Sequence, residues 1–162
     1  MGSTDYACDD DGIAFITINN PSRKNAMTYQ MIEEMYRHLT VAGNEARVVI
    51  LTGAEDAFCA GIDLNFLSGI PPEERGIKVP THDESGLWNI TACPVPVIAA
   101  VNGSAVGMGA EWTSHCDIRI VSTNARFAWN FAHRGLIPDT GAGTWLLPRQ
   151  IGIQNALKLL YS

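Results

Sequence analysis

The chain has 162 residues and a formal net charge of −6, with 46% hydrophobic and 17% charged residues. That length and balance fit one soluble globular domain with a sizeable core, and they exclude a disordered chain. The acidic balance and the lack of any Lys/Arg-rich run argue against nucleic-acid binding, and no continuous apolar stretch is long enough for a membrane helix.

The opening "MGSTDYACDDDG" is acidic and polar. It reads as neither a secretory signal nor a basic transit peptide, so the expected location is cytoplasmic. "GIAFITIN" (12–19) alternates apolar and other residues and stops at Asn20-Pro21, which predicts a strand closed by a turn. Thr28 is placed to cap a helix in which Met31, Ile32, Met35, Tyr36 and Leu39 keep helical spacing. "ARVVILTG" (46–53) is a continuous run rich in β-branched residues, the pattern of a strand buried on both faces. "FCAGIDL" (58–64) is a glycine turn leading into a short helix, and the proline- and charge-rich 68–85 reads as a mobile surface segment. A second buried strand, "PVIAAV" (96–101), is followed by a helix expected from Ala105 to His115 and a strand at 117–122. Residues 140–152 predict a helix or turn broken at Pro148, and 155–162 another helix. Strands alternating with helices imply an α/β fold with a largely parallel sheet covered on both faces. Cys8, Cys59, Cys93 and Cys116 form no C-x-x-C pair and read as reduced thiols packed as small hydrophobes. His38, His82, His115 and His133 lack metal-ligand spacing, so no metal is expected.

The chemistry concentrates in "VNGSAVGMGAE" (101–111). Gly103, Gly107 and Gly109 keep side chains away and let backbone N–H groups approach a ligand, or else they only permit tight packing. Glu111 closes the run. It reads either as a proton-transferring carboxylate or as a surface residue on the first turn of a helix, where a carboxylate is favoured. "GAEDAFCAGID" follows the first buried strand much as "NGSAVGMGAE" follows the second, and ligands of open α/β sheets bind beyond such strand ends. One N–H from each loop would make an oxyanion hole. "GMGAEW" lacks the third glycine of a dinucleotide fingerprint, and Ser104 is misplaced for a nucleophile elbow, so it reads as a turn residue.

"FCAGIDL", "VPVIAAVNGSAVGMGAEWTSHCDIRI" and "GLIPDTGAGTWLLPR" together resemble the crotonase superfamily of enoyl-CoA hydratases and isomerases, from about residue 11 to the C-terminus. The resemblance implies an α/β crotonase-like (ClpP/crotonase) spiral of repeated ββα units, with 1–162 as one core domain. It implies acyl-CoA thioester substrates, with coenzyme A as part of the substrate and no separate cofactor. It also implies an enolate held by two backbone N–H groups, carried over here as Ala60 and Met108. Ala60, Gly61, Ile62 and Asp63 resemble the loop that contacts coenzyme A. Lys24, with Arg23 beside it, resembles the basic residues that meet its phosphates.

Glu111 matches one of the family's two catalytic glutamates, whereas Phe131 stands where the second is expected, and a phenyl ring transfers no proton. Asp139 resembles the catalytic acid of dienoyl-CoA isomerases and of ring-modifying isomerases, or it caps a helix. His133 and Arg134 are either substrate contacts or solvated, and Trp112, Trp129 and Trp145 read as core or interface. Isomerisation is thus expected over hydration, the alternative being a non-catalytic crotonase-like acyl-CoA-binding or regulatory protein. Hydrolysis or carbon–carbon cleavage through the same enolate stays open. Family members assemble as homotrimers or hexamers and continue into a C-terminal helical region, so this chain is expected to be shortened there. Leu157, Leu159, Leu160 and Tyr161 in the last helix would then want a covering surface.

Overall fold

The computed structural model describes residues 2–74, 88–138 and 143–161. The chain opens with a strand that the sequence pattern did not reveal, β1 (Ser3–Cys8), paired antiparallel with β2 (Ile13–Asn19). Asp9 shapes the turn between them, its carboxylate accepting from the Asp11 N–H at 3.1 Å and the Ile13 N–H at 2.8 Å. Helix α1 (Tyr29–Glu45) starts where its cap was expected, the Thr28 hydroxyl accepting from the Met31 N–H at 3.3 Å. Its expected apolar stripe is buried throughout.

Strand β3 (Val48–Gly53) then runs parallel to β2, β5 (Val97–Val101) parallel to β3, and β7 (Ile118–Val121) parallel to β5. The five-stranded order is β1-β2-β3-β5-β7. A second, three-stranded parallel sheet consists of β4 (Ala57–Cys59), β6 (Ser104–Val106) and β8 (Arg126–Ala128), in the order β4-β6-β8. Short helices α2 (Leu64–Ser68) and α3 (Met108–His115) follow β4 and β6, and α4 (Gly143–Ile151) and α5 (Ile153–Tyr161) end the chain.

Three expectations change. The large sheet buries one face, built from Ala14, Ile16, Ile18, Val49, Leu51, Val97, Ala99 and Val101. The register aligns Phe15, Ile50, Ile98 and Ile118 in one row across the other face, and that face is partly open, with Phe15 40% and Ile118 52% exposed. An apolar run therefore reported strand formation here without reporting two covered faces. Helix α3 begins at Met108 rather than Ala105, because 104–106 pairs as β6 before the chain turns at Gly107. Helix α4 runs through Pro148 and ends at Ile151, and Gly152, with a φ of 81°, separates it from α5. Much of the stretch expected to be a mobile surface, and His82 within it, lies outside the described residues. Among the described residues no helix is long and apolar enough to cross a membrane.

Candidate active site

Two turns meet at the ends of β4 and β6. The first leaves β4 at Cys59, where the chain runs between the 24–27 segment and β6. Along it the backbone donors are consumed one after another. The Ala60 N–H donates to the Lys24 carbonyl at 3.0 Å, the Gly61 N–H to the Cys59 thiol sulfur at 3.4 Å, and the Asp63 N–H to the Met27 carbonyl at 2.9 Å. Ile62 bridges Met27 as a parallel strand partner, with the Met27 N–H donating to the Gly61 carbonyl at 2.8 Å. Strand alternation then turns the Ile62 N–H away from Met27, toward the side where β6 leads into Gly107 and Met108. It has no acceptor among the described residues. Ala60, the expected donor, is thus committed within the fold; Ile62 carries the unspent amide.

The second turn is set by Gly107, whose φ of 56° and ψ of −123° place it outside the range of ordinary L residues. Its N–H donates to the Ala128 carbonyl at 2.8 Å, and its carbonyl accepts from the Glu111 N–H at 3.0 Å, closing the first turn of α3. The Met108 N–H is one of the four donors that a helix start leaves unpaired, and it too has no acceptor among the described residues. The turns are close: a Cβ on Gly61 would stand 2.9 Å from the Val106 carbonyl oxygen and 3.6 Å from the Met108 nitrogen. Gly109 serves packing, since a Cβ there would collide with the Cys59 carbonyl and lie 2.7 Å from its Cβ. Conformation and packing therefore divide the glycines between them.

Glu111 lies on the first turn of α3 and is fully buried, so the reading of it as a surface residue does not hold. Its carboxylate abuts Gly143, the first residue of α4, where any side chain would strike it. The end of a helix that carries unpaired N–H groups favours a carboxylate. Opposite, Phe131 is buried, and its Cζ is 3.7 Å from where a Gly107 Cβ would stand. The Met108 side chain is buried in the core cluster.

A model of the Enoyl-CoA hydratase/isomerase family matches residues 9–162. The chain belongs to this family. It shares 40% identity over 151 residues with a probable enoyl-CoA hydratase of Rhodobacter capsulatus, covering 91% of this chain and 56% of that protein. It shares 34% over 161 residues with the ethylmalonyl-CoA decarboxylase of Xenopus laevis, covering 98% of this chain and 54% of that protein. The crystal structure of a putative enoyl-CoA hydratase/isomerase from Mycobacterium abscessus superposes with a TM-score of 0.86 at 31% identity, over 98% of this chain and 62% of that one. The fold is that of the crotonase superfamily, and the chain spans a little over half the length of the curated relatives it matches.

Against this family background, the residues expected around coenzyme A separate. Arg23 binds the Asp63 carboxylate through two nitrogens at 3.0 and 3.3 Å, and Lys24 pairs with Asp56 at 2.6 Å on the open surface. Asp63 also caps α2, accepting from the Asn65 and Phe66 N–H groups at 2.9 and 3.2 Å. Burial pushes its carboxyl up, but Arg23 and these two amides outweigh that and leave it below the usual aspartate range. His133 and Arg134 are exposed, and Asp139 lies outside the described residues.

Sequence reasoning missed two asparagines that hold the 53–57 connection from β3 into β4, just ahead of the first turn. Asn25, fully buried at φ 58°, donates to the Ala54 and Ala57 carbonyls at 2.8 and 2.7 Å. Asn102 donates to the Gly53, Glu55 and Ala57 carbonyls at 2.8, 2.8 and 3.2 Å. Asn25, directly after "RK", carried a signal because Asn tolerates left-handed backbone, whereas Asn102 carried none, since its bonds reach residues more than forty positions earlier. Cys59 is a third: burial pushes its thiol up to about 12, so it stays neutral while accepting from Gly61.

Proposed function

We propose that this chain acts on acyl-CoA thioesters through an enolate held by the Met108 and Ile62 N–H groups, with Glu111 moving the proton and isomerisation favoured over hydration. The observation that supports it is the pairing of two unspent N–H groups on apposed turns with one fully buried carboxylate. A thioester carbonyl between the two donors would gain charge as a neighbouring proton leaves, and preformed donors favour that charge without reorganising. Glu111 takes the proton from one carbon and returns it to another, so one carboxylate suffices for isomerisation. Hydration also requires a second positioned group to act on water, and the Phe131 ring offers none. Asp139 is proposed as a further acid on its resemblance alone.

Decarboxylation is a second reading, favoured by relatives of that name aligned over 98% of this chain. Loss of CO2 generates the enolate with no base, and a single acid then completes the reaction.

Deuterium entry at C2 of a simple acyl-CoA in D2O, followed by NMR, tests the enolate shared by both readings. Exchange is expected, falling about 10²–10⁴-fold in Glu111→Gln. Binding of the thioester with no exchange would leave a non-catalytic acyl-CoA-binding protein instead.

A further inference from the structure

Beside Gly107, the pivot that presents the Met108 N–H, the two nearest side-chain atoms are Phe131 Cζ and Asn130 Oδ1, at 3.7 and 3.8 Å from its absent Cβ. They are a matched pair of opposites. Phe131 is a buried, uncharged wall. Asn130 is half-buried, and among the described residues its carboxamide makes no hydrogen bond that would hold it in one orientation. A carboxamide carries no proton to transfer at neutral pH, which suits it to reading a group rather than to replacing a catalytic acid. Its acceptor Oδ1 is the atom now beside Gly107, and a half-turn of the carboxamide brings its two N–H donors there instead, where they can meet an anionic oxygen.

We infer that Asn130 and Phe131 together select thioesters bearing a carboxylate on C2, with Asn130 donating to that carboxylate and Phe131 walling it from water. This deepens the decarboxylation reading and rests on it. An ammonium or guanidinium at this place would hold the carboxylate too firmly. A neutral donor binds it, while the phenyl wall favours uncharged CO2 over the anion. The C2–carboxylate bond breaks, its electron pair enters the thioester as the enolate held by Met108 and Ile62, and CO2 leaves. Glu111 in its acid form then delivers one proton to C2 and is recharged from water. The product is the acyl-CoA lacking the carboxylate.

The test uses the 162-residue chain with ethylmalonyl-CoA, read by CO2 release, and with butanoyl-CoA, read by deuterium entry at C2. The wild-type chain is expected to do both. Asn130→Ala should lower kcat/KM for CO2 release about 10–100-fold more than it lowers exchange, the loss expected for a hydrogen bond to a charged group. Asn130→Asp, facing one carboxylate with another, should widen that ratio further, and Asn130→Gln should restore part of it. Equal losses in both reactions, or none, would overturn the role of Asn130. Exchange without any CO2 release in the wild type would overturn the inference while leaving the enolate site standing. Absence of both reactions would remove the enolate reading and this inference with it.

Discussion

The two turns that meet at the site are fixed by opposite means. In the 60–63 turn nearly every amide is spent on the chain itself, on Lys24, Cys59 and Met27, so hydrogen bonds set its shape and one donor, on Ile62, is left over. At the start of α3 the amides are orphaned by helix geometry, and packing fixes their place through the close approach of Gly109 to Cys59. A donor pair thus arises without residues dedicated to it. One member is a gap in a hydrogen-bonded series, the other the free end of a helix.

The sharpest way to break this comparison is to delete single N–H groups by replacing an amide with an ester. An ester at Ile62 should cut C2 exchange about 10²–10³-fold, as loss of an oxyanion donor does, and leave the urea midpoint nearly unmoved. An ester at Ala60 should do the reverse, lowering stability by about 1 kcal/mol through loss of the bond to the Lys24 carbonyl. A larger exchange defect from the Ala60 ester would return the donor to Ala60.

Packing at the second turn is tested by Gly109→Ala. The added methyl meets the Cys59 carbonyl and Cβ, and overpacking of this kind costs about 1–3 kcal/mol. Because Cys59 carries the first turn, exchange should fall together with thermal stability. Stability lost at unchanged exchange would show that the two turns are not coupled.

The sequence made some of this legible and hid the rest for identifiable reasons. The α1 stripe and its Thr28 cap were readable, because helical period and capping chemistry are local. The parallel strands were readable as apolar runs, but their open face was not, since a run of Val and Ile reports strand propensity and not what lies across the sheet. Strand β1 went unseen because "STDYAC" is paired by its neighbour and lacks a pattern of its own. The motif "CAGID" located the first turn correctly, yet the choice between Ala60 and Ile62 depends on which way each amide points. That follows from the Met27 bridge, a contact with a residue more than thirty positions earlier. The burial of Glu111 was likewise decided by a partner far along the chain, Gly143.

The smallest effect sharpens the comparison from the outer end of the first turn, where Asp63 ties the turn to both α2 and Arg23. Asp63→Ala should cost about 1–2 kcal/mol, the worth of a helix cap, and should affect exchange less than the Ile62 ester does. The pH dependence follows from the carboxyl being held below its usual value in the folded chain. A depressed carboxyl contributes stability that is fully present above the unfolded-state value of about 4. That contribution disappears as the pH falls from there through the lower folded-state value. The wild-type chain should therefore lose its advantage over Asp63→Ala across that acidic interval, and urea titrations there should bring the two midpoints together. A gap that stays constant from neutral pH down through that interval would mean that Asp63 acts by shape alone, and that the Arg23 pair adds nothing to holding the turn.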